Sequence, residues 1–259
     1  MEMKLSGKVA VVTGSSRGLG KAMAIELARE GAAVAVAART VESGQSRLPG
    51  TIHETVREIE QSDGEAIPIR CDVTEEEDVN EMVRQIIAHY GHIDILINNA
   101  GIGMPKSFLK TTIKNWDLLM NVNLRGTFLI TQAVLPQMIE QGNGNIINLS
   151  SVLAVQIKYS ISYGASKAAI ERLTLGLAKE MIKHNVAVNA FRPGFTVTEA
   201  VKTELPDVDT SDWQKPEMWG KYAAMVAAQD AGSLTGKILD EHALKEIFGP
   251  ATLTGAGFE

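Results

Sequence analysis

One cysteine, Cys71, is all that the 259 residues contain. A lone thiol forms no internal disulfide and no zinc cluster, so the fold has to rest on its apolar core. The histidines, His53, His89, His92, His184 and His242, share no metal-ligand spacing, and no metal site is expected. Positive charge is in deficit. Against 31 Asp and Glu stand 25 Lys and Arg, a formal net charge of −6. That balance offers no footprint for nucleic acid or for an anionic membrane surface. Long apolar runs are also missing: the longest, residues 32–38, is far too short to cross a bilayer. The charged opening stretch from Met1 to Lys8 has no signal-peptide core. Hydrophobic residues at 45% and charged residues at 22% exclude a disordered or collagenous chain. The expectation is a soluble cytoplasmic protein, with one domain over residues 1–259.

What is present is a rhythm. Apolar runs rich in β-branched residues lie at 9–13, 33–37, 66–69, 93–97, 145–149 and 187–191, with a seventh near 237–239. They are nearly continuous rather than alternating, as in strands covered on both faces. Between them, Leu19, Met23 and Leu27 repeat at helical spacing, and so do Val79, Met82, Val83, Ile86, Ile87 and Tyr90. Thr74, followed by Glu75, Glu76 and Glu77, reads as an N-cap with an acidic first turn. Strand–helix alternation throughout predicts an α/β fold: a Rossmann-type, doubly wound parallel sheet of about seven strands, helices on both faces. Two segments break the rhythm, a polar loop at 40–50 and a mixed stretch at 198–220. The second reads as a substrate lid, with Trp213 and Trp219 on its apolar inner face.

Three motifs carry chemistry. Gly14-Ser15-Ser16-Arg17-Gly18-Leu19-Gly20 joins the first strand to the first helix. A pyrophosphate at a helix N-terminus needs backbone N–H groups and no obstructing side chain, and glycine meets both needs. Turns collect glycine anyway, but this position favours a cofactor site. Asn98-Asn99-Ala100-Gly101 ends the fourth run, on the side where such sheets bind ligands; alone, it would be a self-bonded turn. Tyr163 and Lys167 lie four apart on a predicted helix, so they share a face. A nearby cation favours phenolate, which suits a general acid/base. Ser150-Ser151, ending the preceding strand, puts hydroxyls on the same edge.

These elements in this order resemble the short-chain dehydrogenase/reductase family, in its classical group, over nearly the whole chain. The resemblance rests on TGSSRGLG at 13–20, CDV at 71–73, NNAG at 98–101, MNVNLRG at 120–126, INLSS at 147–151, YGASK at 163–167 and RPGFTVT at 192–198. It implies that Tyr163 donates and accepts the proton, that Lys167 lowers its pKa and holds the nicotinamide ribose, and that Ser151 polarises the substrate carbonyl. Asn123 would hold a water of the proton relay; an asparagine inside a helix is otherwise mildly unfavourable. The glycine turn would cradle the pyrophosphate. Asp72 and Val73 would contact adenine, and Asn99 the adenosine half. Pro193, Gly194, Thr196 and Thr198 would border the carboxamide and phosphates, and Thr198 also reads as a helix N-cap. A homodimer or homotetramer, packed through helices near 112–141 and 163–183, is implied as well.

The chain departs from the family pattern in three places. Tyr163 follows Ser151 by twelve positions, one fewer than usual, which leaves Ser150 as the rival serine. Strand alignment favours Ser151, because a slip of one residue turns a side chain to the other face. The 40–50 loop is long, and LPGTI at 48–52 resembles a subgroup related to hydroxysteroid dehydrogenase-like proteins. The segment after the seventh run lacks the glycine pair that often stands there.

An acid at the end of the second strand normally binds the ribose 2′-hydroxyl and repels a 2′-phosphate. Ala38 occupies that position, Arg39 follows, and Arg17 sits in the glycine turn. Guanidinium groups match a phosphate dianion. The reading is therefore an NADP(H)-dependent reductase of a partly apolar ketone or aldehyde, reversible to alcohol oxidation. NAD-dependent alcohol dehydrogenase is the rival on the same fold; a catalytically silent dinucleotide-binding sensor or scaffold is the rival from another class.

Overall fold

The computed structural model describes residues 3–104, 106–157 and 160–251. Met1 and Glu2 of the opening stretch, positions 105, 158 and 159, and residues 252–259 of the 1–259 domain lie outside the described residues. Seven parallel strands form one sheet in the order β3-β2-β1-β4-β5-β6-β7. They are β1 (Val9–Thr13), β2 (Ala33–Ala38), β3 (Ala66–Arg70), β4 (Ile95–Asn98), β5 (Gly144–Leu149), β6 (Val186–Phe191) and β7 (Ile238–Leu239). The doubly wound α/β sheet is the predicted one.

Alternation along buried strands feeds two cores. Ala10 and Val12 of β1 face one layer, while Val9 and Val11 face the other. The first layer contains α1 (Gly18–Arg29), α2 (Ile52–Glu60), α8 (Pro216–Ala227) and α9 (Glu241–Phe248). The second contains α3 (Glu76–Tyr90), α5 (Gly126–Gln141) and α6 (Ile161–Met181). Burying both faces is what made the strands read as continuous apolar runs.

The sheet reverses direction between β1, which pairs with β2, and β4, which pairs with β1 on its other side and continues to β5. A crevice opens at such a reversal, beyond the carboxyl ends of the strands.

Several local readings need correction. The fourth strand starts at Ile95 rather than 93, because the Asp94 carboxylate accepts from the Val9 N–H at 2.9 Å and pairs with Lys8 at 2.9 Å. Thr74 does not cap α3. Its hydroxyl donates to Asp72 Oδ1 at 2.8 Å, and the cap falls at Glu75 without a side-chain bond. Trp219 is not a lid residue: it is fully buried in α8, 5.3 Å from the Phe191 ring between centroids.

The helical run through α4 (Ile113–Met120) and α5 is more apolar than the sequence reading allowed. By length and composition, Ile113–Gln141 would suit a membrane. Half of its apolar window is buried inside the fold, which is how a core helix of a layered protein looks. Between α4 and α5 the residues Asn121–Arg125 form a π-helical turn, a widening that often marks functional positions.

Candidate active site

The β1–α1 turn is built to expose backbone. Gly14 and Gly18 adopt positive φ, which frees the N–H groups of α1's first turn. Asn99 seals the turn from β4: its Nδ2 donates to the carbonyls of Thr13 and Gly14 at 2.9 and 3.1 Å. Thr13 Oγ1 accepts from the N–H groups of Asn99 and Ala100, both at 3.1 Å. Gly14, Ser16, Arg17, Gly18 and Leu19 line a cleft of about 670 Å³ that runs across the strand ends. Ser15 and Gly20 sit behind it, Ser15 with its hydroxyl on the Val12 carbonyl at 2.7 Å. The Gly18 N–H, at the start of α1, donates to Glu199 Oε2 at 2.8 Å. The helix N-terminus thus already holds an anionic oxygen, as its partial positive charge favours.

At one end of the cleft stand Ala38, Arg39, Asp72 and Val73. Arg39 is exposed, with Nη1 3.5 Å from Asp72 Oδ2. Burial opposes ionisation of Asp72, but bonds from the Thr74 N–H and hydroxyl and the charge of Arg39 outweigh it, so its pKa is lowered. Next to it, burial and the carboxylates of Asp78 and Asp72 push the Cys71 thiol up to about 12. Cys71 is a small buried hydrophobe, as expected. Arg17 is committed elsewhere, to three acceptors on the 46–50 segment.

At the other end lie Ser151, Tyr163 and Lys167. The helical spacing of α6 stacks Lys167 beside Tyr163, its Nζ 5.6 Å from the ring centroid. Nζ donates to the Leu149 carbonyl at 2.6 Å, which ties the ammonium to the end of β5. Burial lowers the Lys167 pKa to about 8. Burial raises that of Tyr163, opposed by a hydrogen bond with Ser151. Contrary to the expectation from the sequence, the phenol is therefore not lowered by the ammonium but raised by desolvation, with Ser151 as the group that opposes the shift.

The two serines face different ways. Ser151 stands beside Tyr163 and its Oγ accepts from the Leu153 N–H at 3.3 Å. Ser150 is buried, and its hydroxyl donates to Glu171 Oε1 at 2.7 Å. Glu171 is held bidentately by Arg192, through Nε at 2.8 Å and Nη2 at 2.7 Å. This ion pair joins α6 to the end of β6 and carries Ser150 with it. Gly164 completes the approach: a Cβ there would sit 2.6 Å from the Leu153 carbonyl, so only glycine lets α6 lie against the Ser151 turn.

Asn123, in the π-helical turn, lies behind the cleft wall rather than on it. Its Oδ1 accepts from the Ile102 N–H at 2.8 Å, and its Nδ2 donates to the Ile102 carbonyl at 3.0 Å and to Ser166 Oγ at 3.1 Å. That triple bond set explains a buried asparagine at an unfavourable helical position. Pro193, Gly194, Thr196 and Thr198 border the cleft beyond β6. Thr198 caps the short α7 (Glu199–Glu204), accepting from the Val201 N–H at 3.4 Å. Trp213 stacks on Phe195 with centroids 5.1 Å apart, and both face the cleft.

The sequence profile of the short chain dehydrogenase family matches residues 8–209. The chain belongs to that family. It is 34% identical over 246 residues to the 3-oxoacyl-(acyl-carrier-protein) reductase of Thermotoga maritima, covering 92% of this chain and 97% of that one. It is 36% identical over 249 residues to the human hydroxysteroid dehydrogenase-like protein 2, and there it spans only 59% of the relative's length. Among solved structures, a short-chain type dehydrogenase/reductase from Mycobacterium marinum superposes with a TM-score of 0.81 at 33% identity, over 92% and 95% of the two chains. This short-chain dehydrogenase is thus an oxidoreductase, and its sheet is the Rossmann-like one of its relatives.

Sequence reasoning missed Glu199, Gln214 and the Glu171–Arg192 pair. Gln214 gathers the segment beyond β6, accepting from the Gly194 N–H at 2.8 Å and from Trp219 Nε1 at 3.2 Å. No pattern flagged it. For Glu199 a signal existed: an acidic residue directly after an N-capping threonine. Since a carboxylate at the Gly18 N–H competes with any phosphate there, Glu199→Gln is expected to tighten dinucleotide binding severalfold. Titration of cofactor fluorescence against both proteins reads this, and equal or weaker binding by the variant refutes the competition.

Proposed function

We propose that this oxidoreductase reduces a ketone or aldehyde with NADP(H), and oxidises the alcohol in reverse. The observation that carries the reading is one cleft with Ser151, Tyr163 and Lys167 at one end and, at the other, the end of β2, which bears Ala38 and Arg39 in place of an acid. The residues present fit a nicotinamide dinucleotide. The glycine turn and α1 N-terminus, which attract the Glu199 carboxylate, would hold the pyrophosphate. Asp72, Val73 and Asn99 would border the adenosine half. Thr196 and Thr198 would meet the carboxamide and phosphate, and Lys167 the nicotinamide ribose. When bound, the dinucleotide supplies or accepts the hydride.

The protein's own groups deal with the oxygen. Tyr163, its pKa raised, is protonated at neutral pH, the state that a donor to a carbonyl oxygen requires. Ser151, bonded to that phenol, would donate a second hydrogen bond to the same oxygen and stabilise developing negative charge. Ser150 has its hydroxyl spent on Glu171 and would act only by fixing the strand end. Asn123 would hold the relay water while bracing Ile102. The 198–215 part of the predicted lid would close over a partly apolar substrate, for which the stacked Phe195 and Trp213 supply the surface. A cytoplasmic location belongs to this reading; Cys71, free and buried, is consistent with a reducing compartment.

Tyr163→Phe should cut kcat on the order of 10²-fold or more while cofactor binding stays near wild type. Ser151→Ala should also lower kcat severely, and Ser150→Ala much less. Loss of NADPH absorbance with a panel of ketones and aldehydes is the assay. The reverse serine ranking would move the carbonyl contact to Ser150, and cofactor binding without any turnover would favour a sensor.

NADP(H) preference rests on Ala38 and on Arg39, which the Asp72 contact leaves largely free. Arg39→Asp should raise the KM for NADPH far more than that for NADH. An equal effect on both would point to the NAD-dependent alternative.

A homo-oligomer is part of the proposal. Leu118 of α4, Phe128 of α5 and Leu175 of α6 are exposed, and a shallow apolar hollow is bounded by Met120, Leu124, Phe128 and Leu173. Apolar surface of this kind on adjacent helices marks a packing face. Light scattering is expected to give a dimer or tetramer for the wild type and a smaller species for Phe128→Lys. A monomeric wild type would remove this part of the reading.

A further inference from the structure

Arg17 is where the long 40–50 loop and the cofactor turn meet. Its Nε donates to the Pro49 carbonyl at 2.8 Å, its Nη2 to the Gly50 carbonyl at 2.7 Å, and its Nη1 to Ser46 Oγ at 3.2 Å. One guanidinium therefore spans three acceptors on five consecutive residues, as its rigid planar fork allows. The contact is partly buried, and burial lowers the pKa of Arg17. A second set of contacts docks the same loop on the same turn. Gly50 adopts φ +101°, and any Cβ there would collide with the Ser16 carbonyl. The buried Thr55, one turn into α2, donates to the Ser15 carbonyl at 2.9 Å. Thr51 closes a capping box with Glu54, at 3.1 Å and 3.0 Å, so the loop runs straight into a well-founded helix. Within the loop, Gln45 Oε1 accepts from the N–H groups of Val41 and Glu42, at 2.8 and 3.1 Å.

Docking brings Ser46 and Leu48 onto the wall of the cleft, at the end occupied by Ala38, Arg39 and Thr40. We propose that Arg17 is a positioning residue that latches the 46–50 loop, making that loop the outer wall of the adenosine-ribose pocket. On this assignment the 2′ position is read by Arg39 and the loop's Ser46, and Arg17 is not a phosphate ligand. The inference rests on the reading of this cleft as a nicotinamide dinucleotide site. Three of the five N–H groups of Arg17 are directed at Ser46, Pro49 and Gly50, which turns its fork toward the loop rather than toward a 2′-phosphate.

Limited trypsin digestion and equilibrium binding test the two halves separately. Arg47 is exposed on the loop, and cleavage of its peptide bond requires the latch to open. Arg17→Gln should speed cleavage after Arg47, followed by mass spectrometry. It should also raise the Kd for NADPH and NADH by a common factor, on the order of tenfold for the loss of charge-assisted bonds. Arg17→Lys, which keeps the charge but cannot span three acceptors, should behave in the same way, and serves if the glutamine variant does not fold. Ser46→Asp should weaken NADPH selectively, because it sets a carboxylate beside the 2′ position. An Arg17 variant that weakens NADPH alone, or that leaves Arg47 cleavage unchanged, overturns the latch. If the wild type binds neither dinucleotide, the proposed function fails, while the cleavage comparison still decides whether Arg17 holds the loop.

Discussion

The pairing of β1 with β4 at the sheet's reversal is the constraint on which the rest depends. Ala10, Val11 and Val12 align with Ile95, Leu96 and Ile97, and just past that register Thr13 and Asn99 exchange side-chain and backbone bonds. Those bonds fix the glycine turn against the end of β4 before any ligand is considered. β5 then follows β4 in parallel register, which brings Ser150 and Ser151 to the same edge. Lys167 closes the arrangement by donating from α6 to the last residue of β5. A parallel sheet puts all its strand ends on one side, so residues far apart in sequence become neighbours without any long-range recognition of their own.

Electrostatics divides the cleft in two. Around the glycine turn, backbone dipoles favour an anion, and the chain meets that preference with Glu199. Around Tyr163, desolvation dominates: it raises the phenol and brings the ammonium of Lys167 to about 8. Both shifts disfavour charge, so two ordinarily neighbouring titrations are moved apart, with the phenol the more firmly protonated of the two. Burial on α6 thus keeps the phenol in its donor form, and the hydrogen bond with Ser151 is what opposes that shift.

What was legible in the sequence was whatever depends on pattern. The strand runs were visible because β-branched residues buried on both faces leave an unbroken apolar signature, and the site motifs because glycine, serine, tyrosine and lysine occur there at fixed spacing. What stayed hidden depends on which way a side chain turns. Trp219 lies in a polar stretch and reads as a lid, yet α8 carries it into the core against Phe191. Thr74 precedes three glutamates and reads as a cap, yet its hydroxyl is taken by Asp72. The choice between Ser150 and Ser151 turned on strand alternation. The direction of Ser150 follows from the Glu171–Arg192 pair, whose members are twenty-one positions apart, and although Arg192 opens the RPGFTVT motif nothing in that motif points to Glu171. Burying that bidentate pair demands full satisfaction of its donors and acceptors, and the Ser150 hydroxyl is one of the groups that satisfies it.

Arg17 illustrates how a residue legible by type can carry contacts that its type does not announce. A guanidinium in a glycine turn suits a phosphate, and sequence has no means of counting acceptors that arrive from thirty residues away. The long 40–50 loop supplies those acceptors, and the same segment that lengthens the chain after β2 redirects the arginine in the turn. Glu199 arrives at the next residue, Gly18, from the opposite side. The first turn of α1 is thereby flanked by two appendages of the sheet, the loop after β2 and the helix after β6. Each is attached through a polar contact to the stretch from Ser16 to Gly18. On the proposed reading, a dinucleotide entering this crevice would meet backbone donors at its centre and an attached segment on either side, and its affinity would be set jointly by the turn and by how firmly those segments hold.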